Sequence, residues 1–196
     1  MKIGICAPST PFTREEAARI SALAAEQYSQ AELVFHEQCF DECGHFAGED
    51  AARVAAFVAL ANDPGIDAIW FARGGYGACR MAQDAVSALG PAAYEKTYLG
   101  YSDAGNLLGS LYKAGIGQPT HGPMVADIRR DGGEAVVSRA LGWLVERDPK
   151  SLEQHLVSGE RYAAFNVMTL AMMIGTPLMP DLSGHILMIE EVSEYL

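Results

Sequence analysis

Short apolar runs in this chain break off at a glycine or a polar turn and pass directly into helical patterns, several times in succession. Residues 3–7 read as a first buried strand, 32–36 as a second, 66–72 as a third and 97–101 as a fourth. Between them lie helices. Thr13-Arg14-Glu15-Glu16 has the spacing of a capping box, and Ile20, Leu23, Ala24 and Tyr28 then recur at helical period. Val54, Phe57, Val58 and Ala61 stripe a second helix, stopped by Asn62-Asp63-Pro64-Gly65. A third runs over about 79–89, and Val136, Val137, Ala140, Leu141 and Leu144 mark a later one. Strands that alternate with helices need crossover connections. The expected fold class is therefore α/β, a three-layer parallel sheet with helices on both faces.

From about residue 150 the pattern changes. Residues 151–158 read as a strand, 168–174 as a short helix closed by Gly175-Thr176-Pro177, and 185–190 as another strand. The expected division is an N-terminal α/β domain over 1–148, followed by the beginning of a smaller C-terminal domain over 149–196.

A chain of 196 residues, 49% hydrophobic and 20% charged, can bury a sizeable core without disulfides. The formal net charge of -11 makes nucleic acid and anionic membrane poor partners. The opening apolar run is too short for a signal peptide and no window reaches the length of a membrane span, so a cytoplasmic location is expected. Cys6, Cys39, Cys43 and Cys79 are irregularly spaced, which argues against a disulfide framework. Cys39-x-x-x-Cys43-Gly-His45 has the look of half a metal site, but no second Cys/His pair completes it. No metal and no cofactor are expected.

Ser102 lies in the run Gly100-Tyr101-Ser102-Asp103-Ala104-Gly105, where a strand ends and a helix begins. That is the layout of a nucleophile elbow, with Gly100 permitting the tight approach and the Asp103 N–H available to an oxyanion. A serine here can equally be a helix N-cap. Arg73-Gly74-Gly75-Tyr76-Gly77 also follows a strand, and its glycines let backbone approach a ligand closely. The loop can supply a second oxyanion N–H, cradle a phosphate or simply turn the chain. Arg73 and Arg80 flank it and could each hold a carboxylate or pair with a surface acid. Cys79, at the start of the next helix, is a rival nucleophile or a small packing residue. His121, in Thr120-His121-Gly122-Pro123-Met124, can be a general base or a structural histidine. Glu190 and Glu191 end the last strand, where a carboxylate can orient a histidine or lie in a solvated acidic turn; the latter is expected of Glu191 and Glu194.

Five segments in order resemble the LD-carboxypeptidases, which share a fold with the microcin C self-immunity peptidases. They are Ala7-Pro8-Ser9, Arg73-Gly74-Gly75-Tyr76-Gly77, Gly100-Tyr101-Ser102-Asp103, His121-Gly122-Pro123-Met124, and Gly175-Thr176-Pro177 leading to Ile189-Glu190-Glu191. The resemblance implies a serine peptidase with a Ser-Glu-His triad, removing the terminal D-alanine from murein tetrapeptide in cytoplasmic cell-wall recycling. It implies Ser102 as nucleophile and Glu190 as the acid, with Glu191 as the alternative. Asp103 and Gly75 of the Gly74-Gly75 pair would form the oxyanion hole, and Arg73, Gly74, Tyr76 and His121 would bind substrate.

Two departures from the family pattern stand out. Ala164-Phe165-Asn166-Val167 replaces the common Gly-Gly-Asn-Leu. The family's histidine lies well after the glutamate, whereas His36, His45, His121, His155 and His185 all precede Glu190. The expectation is an N-terminal fragment, from truncation or cleavage after Leu196. The expected partners are a murein peptide, a C-terminal fragment of the same polypeptide and a second copy in a homodimer. The rival readings are a microcin-type immunity peptidase, a non-catalytic muropeptide-binding module and a thiol hydrolase using Cys79.

Overall fold

The computed structural model describes residues 1–191; Glu194 and the apolar Tyr195 and Leu196 lie outside the described residues. Five parallel strands form the main sheet: β1 (Lys2–Cys6), β2 (Glu32–Phe35), β3 (Ala68–Phe71), β4 (Thr97–Gly100) and β5 (Gln118–His121). Their order is β2-β1-β3-β4-β5. The chain reverses its direction of travel across the sheet between β1 and β3, and such a switch point opens a crevice at the strands' C-terminal ends.

Side-chain alternation builds two cores. Ile3, Ile5, Ala68, Trp70 and Leu99 face one way, against α1 (Arg14–Gln27) and α5 (Gly133–Leu141). Cys6, Ile69, Phe71 and Tyr98 face the other, against α2 (Asp50–Asn62), α3 (Ala78–Ser87) and α4 (Gly105–Ala114). This is the expected three-layer parallel sheet, apolar on both faces because helices cover both. The capping box of α1 is present: Thr13 Oγ1 accepts from the Glu16 N–H at 3.1 Å, and the Glu16 carboxylate accepts from the Thr13 N–H at 3.0 Å. Ile20, Leu23 and Ala24 are buried as their spacing requires. In the α5 stripe Val137, Ala140, Leu141 and Leu144 are buried, whereas Val136 faces solvent. That helix continues into a π-helical turn over Gly142–Glu146.

One expected strand is absent. Residues 151–158 form no strand. Asp148 instead caps a 3-10 turn over Pro149–Ser151, accepting from the Lys150 N–H at 3.0 Å. Leu152, Leu156 and Val157 are exposed, and the polar Glu153-Gln154-His155 between them breaks any alternation that could hold a sheet face. The strand here is β6 (Tyr162–Asn166), which pairs in parallel with β7 (Ile186–Glu190) across α6 (Val167–Met173). Among the described residues no helix is long and apolar enough to cross a membrane.

The end of β4 is sterically committed. A Cβ on Gly100 would lie 2.8 Å from Phe71 Cδ2 and 3.2 Å from Ala104 Cβ, both buried. His121, paired in register with Gly100, meets the Tyr101 ring edge-on at 6.1 Å between centroids. Its Nδ1 is buried with no hydrogen-bond partner among the described residues. Burial pushes the imidazole below its ordinary 6.5, with a hydrogen bond to the Ala164 backbone acting in the opposite sense.

Two outcomes are expected from this packing. Gly100→Ala should lower the unfolding free energy by about 1–3 kcal/mol, read from urea denaturation, because the Phe71 ring cannot yield without disturbing the core. For His121 the folded-state value lies below the unfolded one, so its contribution to stability is present above pH 6.5 and lost as pH falls through the folded value. The urea midpoint should therefore drop between pH 7.5 and pH 5.5, and His121→Gln should reduce that drop; an unchanged drop would remove His121 as its source.

Candidate active site

Ser102 follows β4 after the single residue Tyr101, in a 3-10 turn over Ser102–Ala104 that leads into α4. Its φ is +55°, a left-handed backbone that a serine adopts only under constraint. Gly74 packs against it: a Cβ there would lie 3.1 Å from Ser102 Oγ and 3.2 Å from Ser102 Cβ. The Gly-rich loop and the serine turn thus meet at the C-terminal edge of the sheet. Among the described residues, no acceptor takes the N–H of Gly75 or of Asp103. A half-exposed hydroxyl beside such donors can attack a carbonyl and have the resulting oxyanion stabilised.

The Asp103 side chain points away from solvent and is 4% exposed. Its carboxylate accepts from Ser9 Oγ at 2.5 Å, from the Ala78 N–H at 2.8 Å and from Asn106 Nδ2 at 3.0 Å. Burial raises its pKa, and the bonds from Ala78, Ser9 and Asn106 oppose that rise. Next to Ser9, Thr10 Oγ1 donates to the Gly74 carbonyl at 2.5 Å. Arg53, 1% exposed, donates to the carbonyls of Pro8 and of Gly77, the latter at 2.9 Å, pairs with Asp50, and stands 4.9 Å from the Phe46 ring centroid. Local sequence assigned no role to Arg53 or Thr10. The signal available was a lone arginine on the apolar face of a helical pattern, where only a paired charge can be buried.

Glu190 ends β7 in register with Asn166. Asn166 caps α6, accepting from the Met168 and Thr169 N–H groups, and its Nδ2 lies 3.4 Å from both the Glu190 carbonyl and Glu191 Oε1. Thr169 Oγ1 donates to the Ser102 carbonyl at 3.1 Å. α6 is thereby fastened to the serine turn, and among the described residues no hydrogen bond joins Glu190 to Ser102. Its Oε1 is buried and has no partner among the described residues. The departure at 164–167 keeps the asparagine that caps α6.

The other predicted residues divide. Arg73 flanks the site but donates to the Pro11 carbonyl at 3.1 Å, and burial lowers its pKa. Tyr76 is 46% exposed at the loop's tip, with its ring 6.2 Å from Phe46. Arg80 pairs with Asp50 at 2.8 Å. Cys79 is half-buried at the start of α3, and burial and then Asp103 push its thiol up, away from the thiolate a nucleophile needs. Cys39 is buried and bonded to the Ile5 carbonyl, and Cys43 bonds Glu49, so the two thiols point into different contacts. His121 turns to Tyr101 rather than to Ser102. It lines a cavity of about 550 Å³ with Tyr112, Trp143, Phe165 and Met188, between β5 and the small sheet; Ser102 does not line that cavity.

Residues 3–122 match the LD-carboxypeptidase N-terminal domain (Peptidase_S66). A Synechocystis sp. protein named as a carboxypeptidase is 31% identical over 172 residues, covering 83% of this chain and 54% of its own length. The chain thus spans about half the length of that relative. The muramoyltetrapeptide carboxypeptidase from Oxalobacter formigenes has the same fold, with a TM-score of 0.72 at 22% identity over 100% of this chain and 67% of its own. So does the microcin C7 self immunity protein MccF in complex with aspartyl sulfamoyl adenosine, with a TM-score of 0.73 at 19% identity over 98% and 69%. With its matched segment reaching from Ile3 in β1 through β5 and taking in the serine turn, the chain belongs to the LD-carboxypeptidase family.

Proposed function

We propose that the protein acts as an LD-type serine carboxypeptidase, removing the terminal D-alanine from murein tetrapeptide in cytoplasmic cell-wall recycling. The observation that carries this is Ser102 itself: a serine held at φ +55° between strand and helix, with Gly74 against its hydroxyl. Ser102 Oγ attacks the carbonyl carbon before the D-alanine while its proton passes to the base. The tetrahedral oxyanion is held by the N–H groups of Asp103 and Gly75. The C–N bond breaks, D-alanine leaves with a proton from the base, and water then hydrolyses the ester. Gly74 and the flanking Arg73 and Tyr76 contact the peptide beside Ser102, and His121 contacts it from the neighbouring cavity.

Glu190 orients the base histidine, with its buried, unpartnered Oε1 available to a ring N–H. Among the described residues no histidine ring bonds Ser102. His36 accepts from the Gln38 N–H, His45 meets Phe46 edge-on, as His121 does Tyr101 and His185 does Tyr112, and His155 is exposed. The base is therefore assigned to a further segment of the polypeptide, for which residues 149–196 open a second domain and residues 1–148 present the nucleophile.

Ser102→Ala should reduce D-alanine release from murein tetrapeptide by at least about 10⁴-fold with an unchanged unfolding curve; retained hydrolysis would overturn the assignment. Glu190→Gln should cost roughly 10³–10⁴-fold, and a smaller loss than from Glu191→Gln would transfer the role to Glu191. Hydrolysis by residues 1–196 alone would move the base to His121.

A further inference from the structure

The segment after β1 is fixed in an unusual way. The Ala7 N–H and carbonyl both bond the Gln38 side chain, at 3.2 and 2.8 Å. The Pro8 carbonyl accepts from Arg53, and the Ser9 carbonyl accepts from the Ala47 N–H at 3.0 Å. The backbone over 7–9 is thus held by side chains and a loop beneath it, leaving two neighbouring hydroxyls to project. Ser9 is 0% and Thr10 6% exposed, so neither can touch a substrate in this conformation.

The two hydroxyls reach in different directions. Ser9 Oγ bonds the carboxylate of Asp103, at 2.5 Å. Thr10 Oγ1 bonds the carbonyl of Gly74, at 2.5 Å, and therefore holds the peptide group whose N–H belongs to Gly75. Thr10 also limits how close that loop can come, because a Cβ on Gly75 would fall 2.5 Å from Thr10 Cγ2. Gly75 has φ +119°, a backbone open to glycine, so its N–H direction is set by what grips the loop rather than by its own sterics.

We infer that Ser9 and Thr10 are positioning residues that set the separation of the two oxyanion donors, the N–H groups of Asp103 and Gly75. This rests on the proposal that Ser102 is the nucleophile. Ser9 fixes the wall that carries Asp103, and Thr10 fixes the wall that carries Gly75. Because they are consecutive on one anchored segment, the distance between the walls is fixed by a single residue step. Donor placement to within a fraction of an ångström decides how much charge stabilisation reaches the transition state, while a ground-state carbonyl is little affected.

The test uses a tripeptide boronic acid in which boron takes the place of the carbonyl carbon that precedes the terminal D-alanine, and the tetrapeptide as ground-state comparison. In the adduct Ser102 Oγ forms a bond to boron, boron becomes tetrahedral and anionic, and the serine proton passes to solvent; ¹¹B NMR reports the tetrahedral species. Ser9→Ala and Thr10→Val should each weaken boronate binding by about 10- to 100-fold and leave tetrapeptide binding within about 2-fold. Thr10→Ser, which keeps the hydroxyl, should restore boronate affinity. Thr13→Val removes a hydroxyl contact at the α1 cap and should alter stability without altering the split between the two ligands. Equal weakening of both ligands, or no weakening of the boronate, overturns the inference and leaves Ser102 in place. Absence of a tetrahedral adduct in the unaltered protein, or its survival in Ser102→Ala, overturns the nucleophile and the inference with it.

Discussion

Asp103 buries a carboxylate among three donors drawn from three separate stretches of chain: the loop after β1, the first residue of α3 and the second residue of α4. A charge taken out of water is costly unless its lone pairs are satisfied, and hydrogen bonds to an ionised acceptor are among the stronger ones a protein makes. Here the two effects act on the same group, burial raising the pKa and the donors opposing it. The consequence is geometric. The serine turn, the Gly-rich loop and the first loop cannot shift independently, because each shift would strip a partner from a buried anion.

Arg53 provides the complementary constraint from below. Its guanidinium takes the Pro8 and Gly77 carbonyls, so the backbone on either side of the candidate site is tied to one residue of α2. The cation is balanced by Asp50 and lies against Phe46. The site is thus framed by an anion that gathers N–H and O–H donors and a cation that gathers carbonyls. Breaking either would leave an unpaired buried charge, which costs far more than the pair contributes when intact.

What the sequence made legible follows from the range over which each signal acts. The buried strand read at 3–7 and the capping box at Thr13 are local patterns, and both are present, the strand as β1 over Lys2–Cys6. The glycines at 74, 75 and 100 and the turn at Ser102 were legible because steric demands on backbone restrict composition at those positions. Residues 151–158 were misread because a few apolar side chains in a polar stretch were taken for a strand, although no neighbour was available to pair with them. The Ser9–Asp103 bond joins positions 94 apart and Arg53 reaches Pro8 across 45, separations over which no periodicity survives. Asp103 was noticed for its backbone N–H, while its side chain, which does the holding, carried no local mark.

The left-handed backbone at Ser102 bears on the stability of this turn. A non-glycine residue there is disfavoured by roughly 1–2 kcal/mol relative to one without a Cβ. Glycine is the residue the conformation itself would select, and any drift toward a more stable chain at this turn leads to glycine and away from a hydroxyl. The serine holds this turn at a cost in folding free energy that a glycine would not incur. If Ser102 is the nucleophile as proposed, position 102 trades folding free energy for a side-chain oxygen, and among variants at this site thermal robustness and chemistry should run in opposite directions.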